Sequence, residues 1–188
     1  MQAISMIGEL LRFNAGYLHK MTSEIPNEAW YIKPSGRSNP IIWIYGHIIV
    51  NRGEIIEILG GDASTGLYAD IFARGTYPAE DNSTYPDLPK LTARLNKMMV
   101  LTDELIQKCN PNLLDSPSWG KFDSVGQNLA FSYMHETNHI GQISYIINLP
   151  EIKMLKRNKS GTFDKHVKNK NNTTTKIIIE NIKSVFSQ

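Results

Sequence analysis

The stretch at residues 40–59 constrains this chain more than any other. Its first half, Ile41-Ile-Trp-Ile-Tyr-Gly-His-Ile-Ile-Val50, is apolar almost all round. A helix of that kind has no solvent face, so it is expected to lie buried inside the fold. Start and stop signals frame it. Asn39 is placed to cap, Pro40 fits the first turn, where a missing N–H costs nothing, and Gly60-Gly61 ends it. The charge-free run is far short of the ~20 residues that a membrane helix needs.

Three further helical patterns accompany it, and no convincing strand pattern does. Ile7, Leu10, Leu11, Leu18 and Met21 recur at helical spacing over residues 4–23, before Pro26. Leu91, Leu95, Met98, Met99, Leu101 and Leu105 do so between Asp87 and Cys109, before Pro111. The last pattern starts at Asp123 or Ser124 as cap and runs to about Leu149, with Pro150 as its stop. Helices of ~20 residues span about 30 Å. Four of them, each with an apolar stripe, predict an all-α four-helix bundle. Residues 61–86, rich in Gly and Pro, are expected to form a loop, of a length that marks functional loops more often than idle ones. Residues 110–122 form a second loop.

Composition splits the chain. Residues 153–188 hold nine Lys/Arg against two acids, a charge of +7, while residues 1–152 carry −5. The expected division is therefore a bundle at 1–152 and a low-complexity, disordered Lys/Asn-rich tail at 153–188. Residues 176–186 are a candidate short amphipathic helix within it. The basic pI reports on the tail, so it gives no reason to expect nucleic acid as a partner; the tail also lacks interleaved aromatics. The single cysteine, Cys109, excludes an intrachain disulfide and a Cys-rich metal site. No signal peptide is evident, and a cytoplasmic protein with no membrane partner is expected.

The chemistry lies in the histidines. His135-Glu136-Thr137-Asn138-His139 puts two imidazoles one helical turn apart, on one face. Composition alone yields His-Glu-x-x-His roughly 0.007 times per chain of this kind. The bland account is that the pair hydrogen-bonds loop carbonyls. The sharper one is a metal site, which needs a third ligand. His47, in the apolar half of its helix, is the natural candidate, because a lone buried imidazole is costly. Gly46 beside it would permit a close approach. His19 is expected at the surface and His166 lies in the tail. A zinc peptidase with Glu136 as base is the obvious function for this motif. Yet Gln142 and Tyr145 stand where the extended motif needs Gly and His, the only later glutamates, Glu151 and Glu180, are expected in a turn and in the tail rather than on a ligating helix, and the expected sheet is missing.

Two segments together resemble the DinB/YfiT-like superfamily. Trp43-Ile-Tyr-Gly-His47-Ile-Ile-Val-Asn51 is similar to its second helix, and His135-Glu-Thr-Asn-His139-Ile-Gly-Gln142-Ile to its fourth. The Pro-Gly-rich entry Lys33-Pro-Ser-Gly-Arg-Ser-Asn-Pro40 fits as well, and the resemblance covers about residues 4–150. It implies a four-helix bundle holding a divalent metal (zinc, nickel or iron) on His47, His135 and His139. It also implies a low-molecular-weight thiol such as bacillithiol, mycothiol or glutathione as cosubstrate. In that family the Glu after the first histidine is not a required base, which leaves Glu136 to the surroundings of the site or to the surface. Ile146-Ile-Asn-Leu-Pro150 replaces the Arg-rich end of the fourth helix that family members often have.

An open metal position would turn a thiol into a thiolate near neutral pH, for attack on a small electrophile. Hydrolysis by activated water follows the same logic. A metal that only stabilises a non-catalytic, stress-associated bundle is the alternative. Asn51 and Glu54, on nearly the same helix face as His47, are candidates to orient a ligand; Gln142 is a candidate partner for His139. Trp43, Phe131 and Tyr17 are candidate pocket walls, and Trp119 a candidate cover. Apolar outer faces would suit a homodimer.

Overall fold

The computed structural model describes residues 3–34, 38–64 and 67–159. Among these the protein is helical, without a strand, and carries one isolated bridge between Pro117 and Ser124. Contacts divide the chain after Lys156, and the elements below belong to the Met1–Lys156 unit except for the last turn of the final helix.

Helix α1, Ala3–Thr22, buries Ile4, Gly8, Leu11, Ala15, Leu18 and Met21, a single stripe at helical spacing. A turn of 3₁₀ helix at Asn27–Tyr31 then buries Trp30 edge-on to Tyr45, ring centroids 5.2 Å apart. Helix α2, Ile41–Ile58, exposes only Glu54 and Glu57. Pro40 itself, in extended conformation, is the cap residue, and its carbonyl accepts from the Trp43 and Ile44 amides; no side chain caps this end. Asn39 thus does not serve as the expected cap. The far end closes as the glycines predict. Gly60 takes φ +81°, and the Gly61 and Gly60 amides bond back to the carbonyls of Ile56 and Glu57.

Helix α4, Leu88–Lys108, buries Leu91, Leu95, Met98, Thr102 and Ile106. The stripe runs on through Thr102 and Ile106 rather than Leu101 and Leu105, which are half-buried. Thr102 enters the core because its hydroxyl bonds to the Met98 carbonyl at 2.8 Å. Helix α5, Val125–Ile147, is capped by Ser124, whose Oγ accepts from the Gln127 amide. Helix α2 packs against α4 and α5, and α1 packs against the same two helices. The apolar interior centres on α2 and takes in Ile140, Ile143 and Ile146 of α5.

Two expectations change. The segment 61–86 contains a short helix α3, Ala69–Phe72, which drives Phe72 wholly into the core, where it stacks on Tyr85 at 5.8 Å. Fully burying a ring of that size contributes about 1.5–3 kcal/mol, enough to seat a Gly/Pro-rich segment. At the other end, helix α5 stops at Ile147, ahead of Pro150 as expected, but Pro150 does not lead straight into a structureless tail. It opens helix α6, Pro150–Lys159, where a missing N–H is harmless, and Ile152 is fully buried. The first residues of the supposed disordered tail are therefore helical. Residues 160–188, with His166 and the candidate amphipathic helix, lie outside the described residues.

Candidate metal centre

His47 on α2 and His135 and His139 on α5 come together. One ring nitrogen from each lies within 4.8 Å of the others. Their centroids are 4.5 to 5.1 Å apart and the rings meet edge to face. The Nε2 atoms of His47 and His135 approach to 2.9 Å. His47 is buried, and the α5 pair is half-buried.

The outer nitrogens are tied down. Nδ1 of His47 lies 2.6 Å from the Phe72 carbonyl oxygen. A carbonyl only accepts, so Nδ1 carries the proton and Nε2 keeps its lone pair. Nδ1 of His139 lies 2.9 Å from Oε1 of Gln142, the partner expected at i+3, and donates in the same way. This is how ligating histidines are usually oriented, through a hydrogen bond on the far side of the ring.

Burial lowers the His47 pKa, opposed by the bond to Phe72. Burial also lowers that of His135, helped by the nearby His47 and Arg74. His139 falls furthest, to about 4, chiefly through burial. His47 Nε2 therefore accepts from Nε2–H of His135 in the metal-free protein, and three imidazoles so placed form a donor set suited to a divalent transition ion once that proton is displaced.

The walls are aromatic. Trp43 stacks flat on His47, 5.0 Å between centroids and 11° between planes. Its indole N–H reaches Oγ1 of Thr76 at 3.2 Å. Phe131 stacks on His135 at 5.8 Å, and Phe122 leans on Phe131. Tyr17 and Trp119, the other candidates, stand exposed. Gly46 does permit a close approach, but what approaches is the Phe72 ring: a Cβ at Gly46 would sit 2.5 Å from it. The segment carrying α3 is thereby pressed onto α2, with its carbonyl aimed at His47.

The other polar residues in and around the motif have separate employment. Glu136 is 1% exposed and forms a two-pronged ion pair with Arg52 of α2, at 2.5 and 2.7 Å. Arg52 also donates to the Leu11 carbonyl of α1 at 2.6 Å. Both carboxylate oxygens of Glu136 are occupied, so it is neither a surface residue nor a free base, which removes the chemical centre of the peptidase reading. Asn51 donates to the Ser132 carbonyl at 3.2 Å and bridges α2 to α5 instead of facing a ligand. Glu54 is exposed, and partial desolvation and Glu57 raise its carboxyl pKa. His19 is exposed, as expected. Sequence reasoning missed Arg52, Phe72 and Thr76. For Arg52 a signal existed: a cation inside the most buried helix demands an anionic partner. For a main-chain carbonyl from a loop there was none.

No curated protein matches the sequence. The family model of the DinB superfamily matches residues 10–143, a span that holds all three histidines. With most of its length matched, and with the paired segments on α2 and α5 brought together around those histidines, the chain belongs to the DinB superfamily.

Proposed function

We propose that this protein is a divalent-metal-dependent enzyme, folded as the four-helix bundle of its family, that transfers a low-molecular-weight thiol to a small electrophile. Hydrolysis of a small molecule by the same centre is the second chemistry that the site supports. The observation that carries the reading is the convergence of His47, His135 and His139 with two outer nitrogens already tied to Phe72 and Gln142. Three protein ligands are what catalytic centres keep, leaving a coordination position for substrate. Zinc, nickel and iron all suit three imidazoles.

A bound divalent ion supplies an acidified thiol or water, reactive near neutral pH. The chain's own residues do the rest. The Phe72 carbonyl and Gln142 hold two rings in the tautomer that presents Nε2. Trp43 and Phe131 cover the faces of His47 and His135 and keep water from them. Cys109 is not the nucleophile. It sits at the end of α4, half-buried, with Sγ toward the Asn110 carbonyl, and burial pushes its thiol pKa up. A reactive thiol therefore comes from outside the chain.

The test is metal stoichiometry by plasma mass spectrometry on untagged protein, wild type against His135→Ala. About one ion per wild-type chain, with little in the variant, is the expected result. If neither protein holds or takes up zinc, nickel or iron, the enzyme reading is abandoned.

A further inference from the structure

Among the described residues, the side chains that converge on the centre are three imidazoles, with no carboxylate in the group. The one carboxylate inside the motif, Glu136, is spent on Arg52. Three neutral imidazoles leave the charge of a divalent ion uncompensated, within a body that carries −5 over residues 1–152. Electroneutrality at such a centre has to come from the ligand.

Two exposed cations flank the same place, each on a fixed loop. Arg74 lies between Phe72, whose carbonyl bonds His47, and Thr76, whose hydroxyl holds Trp43. That hydroxyl also bonds to the Ile71 and Ala73 carbonyls, which ties the turn around Arg74 together. Lys121 comes from the loop before α5. Its Nζ lies 4.6 Å over the Phe131 ring, the ring that stacks on His135, and 5.5 Å from that of Phe122. The Pro117–Ser124 bridge and a 2.9 Å bond from the Val125 amide to the Ser116 carbonyl close this loop at its base. Neither cation forms an ion pair among the described residues, whereas Arg12, Arg52 and Lys90 all do.

We infer that Arg74 and Lys121 form a cationic rim that binds an oxyanion group, a carboxylate or phosphate, on the ligand whose other end occupies the histidine centre. The rim sets which substrate is taken and leaves the metal-binding residues untouched. This rests on the metal reading above. A guanidinium receives such a group two-pronged, and an ammonium on an aromatic face adds a second, less directional charge.

The experiment uses the full chain loaded with Co²⁺ and read by visible absorption. Two thiols are titrated: 3-mercaptopropionate, which carries a carboxylate, and neutral 2-mercaptoethanol. Wild type is expected to favour the anionic thiol by about 3- to 10-fold, the scale of one or two partly screened charge contacts. In Arg74→Gln/Lys121→Gln the preference falls to near one, while the Co²⁺ spectrum without thiol stays the same. Arg74→Lys retains part of it, and raising the salt concentration erodes it in wild type. An equal preference in wild type and double variant, or none in wild type, overturns the rim and leaves the metal site standing. Failure of wild type to take up Co²⁺ defeats the metal reading, and the rim with it.

Discussion

Helices α2 and α5 share two polar clusters, one buried and one half-buried, built from residues that are near neighbours in sequence. Arg52 and Glu136 make one; His47, His135 and His139 make the other. The first is saturated. Each carboxylate oxygen has a guanidinium nitrogen, and the remaining donor reaches the Leu11 carbonyl. The second is tied to the rest of the fold on its outer side, where Phe72 and Gln142 receive protons, while its inner nitrogens have only one another as partners. A saturated buried cluster fixes how helices meet. A cluster with lone pairs left over is poised for something else to bind. One residue step, from His135 to Glu136, turns the side chain by about 100° and separates the two roles.

That contrast can be broken in four ways. The largest effect is expected from Arg52→Leu, which strands Glu136 in the core. Removing one partner of a buried pair costs about 3–5 kcal/mol. Urea unfolding should show that loss; an unchanged midpoint would mean that the pair does not secure the helices. Next is Gly46→Ala. Its Cβ would meet the Phe72 ring at 2.5 Å, and overpacking of this kind costs about 1–3 kcal/mol. Because Phe72 must shift, His47 loses its carbonyl partner, so metal affinity should fall along with stability. Calorimetric metal titration together with thermal unfolding checks both. A variant that loses stability but binds metal as before would uncouple α3 from the site.

Gln142→Ala should do the reverse. Removing the partner that orients a ligating histidine costs about 10-fold in metal affinity, while an exposed side chain on α5 contributes little to folding. A competition assay with a chromophoric chelator measures it. The mildest effect is graded with pH in the metal-free protein. Burial lowers the pKa of all three histidines, that of His139 from 6.5 to about 4. The unfolded chain therefore binds more protons than the folded one between those values. Stability is fully present above pH 6.5 and declines as the pH falls toward 4. Saturating metal should steepen the decline, since protons compete for the same nitrogens. A midpoint that is flat across pH 4–6.5 would show that the imidazoles are not held neutral by the fold.

Much of this was legible in the chain. The apolar run before Val50 and the Gly60-Gly61 stop placed α2, because a helix without a polar face can only be interior. Two histidines four residues apart put a pair of imidazoles on one face of α5. The burial of Phe72, the helix after Pro150 and the employment of Glu136 were not legible. Each depends on what another segment brings: a gap over Gly46, a core that receives Ile152, a guanidinium from α2.

The sequence by itself determined that the protein is helical, which helix is central, and which three imidazoles are candidates for one site. The helices and the His135–His139 pair follow from spacing along a helix, which is local geometry; His47 joined them as a polar group in an apolar helix and through the family resemblance. Tertiary structure alone decided that His47 meets the α5 pair, that Phe72 and Gln142 fix ring orientation, and that Glu136 is closed off by Arg52. Those outcomes include a hydrogen bond between groups 88 residues apart. Hydrogen bonds at that separation form only after the helices have packed, so no local pattern in the chain records them.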